Sequence, residues 1–167
     1  MNIGLSTAAF YGRWETEEAA EHLSDYGAAC AEVFLQTRGE MTAGFAADVR
    51  KRLNGVPCTS MHPKGTLFEN ELFGRSPRQR TEGWNAFQYA LDAAAELGAA
   101  YYVYHGWHSS AGNKIPFDAQ RNADVVGEMQ RIIMNRVLRR RDTSEHRVID
   151  CGVLWSMGNR RSGGASF

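Results

Sequence analysis

The chain has 167 residues, enough for one domain with a hydrophobic core, and its 43% hydrophobic content excludes wholesale disorder. Its formal net charge is zero, no apolar run approaches the roughly 20 residues that span a membrane, and the start MNIGLSTAAF lacks the features of a signal peptide. The three cysteines form no CxxC pair, which argues against a zinc finger or disulfide scaffold and predicts reduced thiols in a cytoplasmic protein.

Four short apolar segments, each followed by a helical pattern, divide the first 136 residues. The predicted strands are residues 2–7, 30–37, 56–62 and 99–105. The predicted helices run from Thr16, as the capping residue, to Gly27, from Thr42 to Gly55, from Ser76 to Gly98, and over about 118–136. Strict alternation with short links predicts parallel strands joined by right-handed crossovers. Strands that are apolar throughout predict a sheet covered on both faces.

The alternation favours one kind of α/β fold. No GxGxxG follows the first strand and no GxxxxGK[ST] occurs, which disfavours dinucleotide-binding and P-loop folds. A (β/α)8 TIM barrel fits the pattern best, but a complete barrel needs about 250 residues. We therefore expect a partial TIM barrel of about four to five βα units.

Two strands that are predicted to be neighbours end in histidine. His62 ends the third strand and His105 ends the fourth. Chemistry in a barrel lies at the carboxyl ends of the strands, where two imidazoles can share a divalent cation such as Zn or Mn. From spacing alone, the alternative is that each histidine is hydrogen-bonded to a nearby loop. His108 is either a substrate contact or a solvent-exposed loop residue.

Several features recur in one order along residues 1–130. They are MNIGLST at the start, CAEVFLQT with Glu32, a strand that ends at His62, Asn70 in the next loop, the helix end AAAELGAA, and a strand that ends at His105-Gly106. In this ordered set the chain resembles the xylose-isomerase-like TIM barrels. That superfamily includes the sugar phosphate isomerases/epimerases and the endonuclease-IV-type apurinic endonucleases (AP endonuclease family 2).

The resemblance implies an isomerase or epimerase that acts on a sugar or sugar phosphate with a divalent metal. His62 and His105 resemble metal ligands of the endonuclease branch, whereas many isomerases and epimerases direct the equivalent residues at substrate. The family's carboxylate ligands come from strands five to eight, and none can be placed here, because Glu145 lacks an apolar strand before it. We therefore expect an incomplete, inactive relative with weak or absent metal binding. The alternatives are an apurinic endonuclease and a non-catalytic fragment.

The end of the chain departs from this pattern. Residues 131–167 hold eight Arg, no Lys and three acids, a net charge of +5, against −5 for residues 1–130. We expect residues 1–133 to form the N-terminal half of the barrel and residues 134–167 to be an atypical Arg-rich tail, out of frame or disordered. The alternative is a genuine short protein with a basic tail. The acidic body disfavours nucleic acid as a partner, and strand edges left open predict a homo-oligomer.

Overall fold

The computed structural model describes residues 3–65, 67–107, 118–141 and 152–155. Strands and helices alternate along these residues in the order β1 Gly4–Ser6, α1 Thr16–His22, β2 Cys30–Leu35, α2 Ala43–Arg52, β3 Cys58–Pro63, α3 Pro77–Leu97, β4 Tyr101–Tyr104, α4 Ala119–Arg141 and β5 Gly152–Trp155. Three 3₁₀ helices, Thr7–Phe10, Arg38–Glu40 and Glu69–Phe73, follow the ends of β1, β2 and β3. The predicted βα alternation is confirmed.

The five strands form one parallel sheet in the order β1-β2-β3-β4-β5. Chain order and spatial order therefore coincide, as in one arc of a barrel. Because all strands run the same way, their carboxyl ends lie at one edge of the sheet, and the loops that follow them lie there too. Strands β1 and β5 form the two lateral edges. Self-association through such edges stays a prediction.

Burial along the strands corrects one expectation, because the two faces of the sheet differ. Residues of β2 alternate between buried Ala31, Val33 and Leu35 and partly exposed Cys30, Glu32 and Phe34. In β4, Tyr102 is buried against Phe87 of α3, with ring centroids 5.5 Å apart. Helices cover this buried face. The opposite face, which would line a closed barrel, is partly exposed and holds Glu32 and His62 beside Phe34, so the strands are not buried on both faces.

Local signals set most helix ends. Helix α3 begins with Pro77 at its first turn and ends at Gly98, whose φ of 73° is the left-handed conformation that glycine adopts without strain. The cap of α1 differs from the prediction, because Glu15, not Thr16, is the capping residue. The Thr16 hydroxyl instead donates to Glu40 (2.8 Å) and lies 3.1 Å from the Phe34 carbonyl. That tertiary use explains why Thr16 is buried.

The end of α4 and the whole of β5 lie where the sequence pattern predicted no regular structure. Helix α4 continues to Arg141, beyond the predicted end at residue 136, and β5 pairs with β4 over Gly152–Trp155. Met129 and Ile133 pack α4 into the core. The boundary at residue 133 and the origin of the tail stay predictions. None of the described helices is long and apolar enough to cross a membrane.

Candidate functional site at the carboxyl edge of the sheet

The structure brings the two strand-end histidines together. His62 lies in β3 and His105 directly follows β4, and the two strands pair in the register Ser60↔Tyr101. The Nε2 atoms of the two rings are 2.8 Å apart, and the ring centroids are 4.8 Å apart. Both side chains therefore reach the same point at the carboxyl edge. His108, the predicted substrate contact, lies outside the described residues.

Each imidazole contacts a glutamate through its Nδ1 atom, on the side away from the other histidine. Glu32 of β2 lies 3.3 Å from His62 Nδ1, and Glu69 of the 3₁₀ helix after β3 lies 3.2 Å from His105 Nδ1. The other oxygen of Glu69 accepts the backbone N–H of His105 at 3.0 Å, and the Glu69 side chain is fully buried. We call Glu32, His62, His105 and Glu69 the histidine–carboxylate chain. It crosses the edge from β2 to β4.

The distances in this chain are consistent with one arrangement of its protons. A carboxylate only accepts, so each Nδ1 carries a proton directed at its glutamate. Two Nε2 atoms at hydrogen-bond distance need one donor and one acceptor, so they share a single proton. In this arrangement the two rings together carry one positive charge. Two carboxylates and one cation leave the chain with a net negative charge.

The electrostatics favour the charged form of His105. Its hydrogen bond to Glu69 raises the pKa of His105 above the ordinary value, against the opposing effect of desolvation, and the charges of Glu69 and Glu32 add to the rise. The hydrogen bond from His62 is the largest cause that lowers the pKa of Glu32, and Ser6 also donates to this carboxylate at 2.7 Å. Glu32 is therefore ionised at neutral pH.

Close packing holds the His105 ring in place. A Cβ at Gly65, in the loop after β3, would lie 2.7 Å from His105 Nδ1 and 2.9 Å from its Cγ. Real Cβ atoms do not approach so closely, so only glycine lets the loop cover the ring at this distance. The Gly65 backbone therefore defines one wall of the site.

The chain fits a divalent cation in part. Both Nε2 atoms point at one place, and carboxylates on the Nδ1 atoms are the usual support of metal-binding histidines. A tetrahedral metal with bonds of about 2.05 Å needs its two nitrogens about 3.3 Å apart, so the rings would have to separate slightly. The glutamates lie behind the rings, not around the same point. In the described ranges, no group of three or more His, Cys, Asp or Glu could hold a metal ion.

Sequence reasoning missed the contacts of both glutamates with the histidines. Glu32 was noted only as part of the family resemblance. A single acid within the apolar segment CAEVFL could have indicated a charge that needs a partner. Glu69 carries no comparable signal, because it lies in the irregular stretch between β3 and α3. Its role depends on the tertiary fold.

Comparison with known proteins gives structural matches only. No protein-family profile and no curated protein sequence matches the chain. Among solved structures, a D-psicose 3-epimerase in the presence of D-fructose matches with a TM-score of 0.58 and 16% identity, over 92% of this chain and 51% of that one. The D-psicose 3-epimerase with D-tagatose from Clostridium cellulolyticum H10 matches with a TM-score of 0.59 and 15% identity, over 81% and 49%.

A sugar phosphate isomerase/epimerase from Parabacteroides distasonis matches with a TM-score of 0.50 and 16% identity, over 92% of this chain and 49% of that one. The chain thus spans about half the length of the solved structures that it matches. The likeness shows the fold alone, a partial (β/α)8 barrel like the matching half of these solved structures. The predicted fold class is confirmed.

Proposed function

We propose that the chain supplies the first half of a sugar or sugar-phosphate isomerase/epimerase site, and that it gives no turnover by itself. The observation that carries this proposal is the 2.8 Å contact between His62 Nε2 and His105 Nε2 at the carboxyl edge of a barrel-type sheet. Isomerisation and epimerisation of a sugar move a proton next to a carbonyl group, which requires a group that can give and take protons. A histidine pair that shares one proton has this capacity.

A divalent metal between the two histidines would serve the same chemistry, although the described residues fit it only in part. His62 Nε2 and His105 Nε2 would hold it, with at least one further ligand from outside the described residues, since two nitrogens do not complete a coordination sphere. Such a cation would polarise a sugar carbonyl and its neighbouring hydroxyl. Because the remaining ligands are missing from the described part of the chain, we expect weak metal binding and no catalysis.

An apurinic endonuclease is the alternative function, because it would use the same two histidines as metal ligands. It also needs a surface that attracts phosphates along a nucleic acid. Near the site, Arg38 is paired with Glu71, and the histidine–carboxylate chain itself is negative. The charge around the site therefore favours the sugar over a polynucleotide. A DNA-binding assay at several salt concentrations discriminates between them, because only DNA binding weakens steeply with salt.

Metal titration with two variants tests the proposal. The ring signals of the histidines are followed by NMR as Zn²⁺ or Mn²⁺ is added to the native chain, to His62→Gln and to His22→Gln. His22 is the matched control, because its Nδ1 contacts Asp25 at 3.1 Å on an exposed helix surface. We expect a saturable effect on His62 and His105 that His62→Gln abolishes and His22→Gln leaves unchanged. Assays on D-psicose, D-fructose and D-tagatose should show no turnover; robust metal-dependent turnover would contradict the proposal.

A further inference from the structure

A row of aromatic rings leads from the histidine pair to the protein surface. Phe34 of β2 meets His62 edge-on, with centroids 5.0 Å apart and ring planes at 80°. Tyr11, in the loop before α1, meets Phe34 in the same way at 5.8 Å and 88°. The Tyr11 residue is 53% exposed, so the row ends where a ligand can reach it. We call Tyr11, Phe34, His62 and His105 the aromatic row.

Lys64 lies at the outer end of the aromatic row. Its Nζ donates to the Tyr11 hydroxyl at 3.0 Å and lies 5.2 Å from the centroid of the Tyr11 ring. Its backbone N–H donates to the Leu35 carbonyl at 2.9 Å, which fixes the residue just beyond the end of β2. In the part of the chain that the structure describes, no carboxylate forms an ion pair with this half-buried ammonium, whereas Arg38 at the same edge is paired with Glu71.

The two ends of the aromatic row differ in charge. Glu32 and Glu69 make the histidine end negative, so this end repels a further anion. At the other end, the Lys64 ammonium has three donors and gives one of them to Tyr11, so it can still bind an anion. A ligand with a neutral polyol part and one anionic group therefore matches the row in a single orientation. In that orientation its hydroxyls would lie at the imidazoles and its anion at Lys64.

We propose that this edge binds a sugar that carries one anionic group, a phosphate or a carboxylate, and that Lys64 is the residue that selects it. The inference rests on the proposed function and assigns its substrate class. The apolar parts of the sugar pack on the Tyr11 and Phe34 rings. Lys64 follows the end of β3, two residues beyond His62, so the anion and the reacting carbons would be bound by one connected segment of the chain.

Binding of a neutral and two charged sugars tests the inference. D-fructose, D-fructose 6-phosphate and D-glucuronate are titrated into the full chain while the NMR signals of the His62 and His105 rings are followed. The same titrations are made with Lys64→Met and with the matched control Lys51→Met. Lys51 is exposed in the last turn of α2, at the amino-terminal side of the sheet, and its substitution removes the same charge.

We expect the native chain to bind the two charged sugars about tenfold more tightly than D-fructose. Lys64→Met should reduce both to the level of D-fructose, while Lys51→Met keeps the difference. Unchanged D-fructose binding by Lys64→Met shows that this variant is folded. A larger loss for D-fructose 6-phosphate than for D-glucuronate identifies phosphate as the preferred anion, and the reverse identifies carboxylate.

Two results would overturn the inference, and they separate it from the proposed function. If the native chain binds neutral and charged sugars equally, or if Lys64→Met keeps the preference, Lys64 does not select an anion, although the proposed function stands. If none of the three sugars shifts the histidine signals of the native chain, both the inference and the proposed function fail.

Discussion

Glu69 accepts two hydrogen bonds from one residue, the backbone N–H of His105 at 3.0 Å and its ring Nδ1 at 3.2 Å. This carboxylate is fully buried, so its charge needs these partners. The arrangement fixes the ring orientation of His105 and also the point where the chain leaves β4. A single side chain thus connects the loop after β3 to the catalytic edge that we propose.

Glu69→Gln tests how far this carboxylate sets the protonation of His105. The amide keeps the volume and removes the charge, so we expect the pKa of His105 to fall from its raised position, because the hydrogen bond to Glu69 is the largest cause of the rise. Titration of the ring signals by NMR measures the change. His22, whose partner is Asp25, is the control in the same spectra. An unchanged His105 titration would show that Glu69 does not control this proton.

The stability of the chain should depend on pH in a window set by the site. The pKa of His105 is raised above 6.5, so its contribution is full below pH 6.5 and is lost as pH rises through the folded-state value. The pKa of Glu32 is lowered from 4.5, so its contribution is full above pH 4.5 and is lost as pH falls through the folded-state value. The site therefore stabilises the fold most between about pH 4.5 and 6.5.

Urea unfolding at a series of pH values measures this dependence. Glu69→Gln should flatten the decline above pH 6.5, because the folded and unfolded states then bind the His105 proton more equally. The lower limb should remain, because Glu32 and His62 are unchanged in that variant. A decline above pH 6.5 that is equally steep in both proteins would show that another group causes it.

Gly65→Ala should disturb the site through contact alone. The new Cβ would lie 2.7 Å from His105 Nδ1, so the ring or the loop must move. Overpacking of this kind costs about 1–3 kcal/mol of unfolding free energy, and displacement of the ring should weaken its bond to Glu69. Thermal unfolding and the His105 titration measure the two effects.

Gly127→Ala is the control for Gly65→Ala. This glycine lies within α4, and a Cβ there would meet nothing within 4 Å. Alanine should therefore stabilise the helix by about 0.5–1 kcal/mol. If both variants change stability alike, crowding at His105 is not the cause.

Phe87→Ala should show how strongly α3 holds the sheet. Phe87 is fully buried and meets the Tyr102 ring of β4 edge-on. Its removal should cost about 3–5 kcal/mol of unfolding free energy. On the same helix, Tyr89 is 62% exposed, so Tyr89→Ala should change stability by no more than about 0.5 kcal/mol. Chemical denaturation measures the unfolding free energy of both variants. Similar losses in the two would show that the contact of Phe87 with the sheet is not a main source of stability.

The histidine pair could be predicted from sequence because its position follows from topology. Once β3 and β4 are parallel neighbours, residues at their carboxyl ends must meet, and His62 and His105 are those residues. The faces of the strands were harder to assign. The segment CAEVFL is apolar enough to suggest burial on both sides, although its period of two places Glu32 and Phe34 on the exposed face.

Long-range contacts explain what the sequence could not supply. Glu69 reaches His105 because the 3₁₀ helix Glu69–Phe73 folds back against the sheet, and no local pattern encodes that path. Threonine is a common helix cap, but the Thr16 hydroxyl bonds to Glu40 and lies close to the Phe34 carbonyl. Glu15 therefore caps α1 instead. In each case a partner distant in the sequence decides the role of the side chain.

The hydrogen bonds of the histidine–carboxylate chain join residues that are 30, 43 and 36 positions apart in the sequence. None of them can persist in a collapsed state that keeps helices but loses specific packing. The bond between His22 and Asp25, only three positions apart, survives as long as the end of α1 does. The imidazole resonances therefore provide an internal reporter of folding, in which His62 and His105 follow tertiary order while His22 follows local structure.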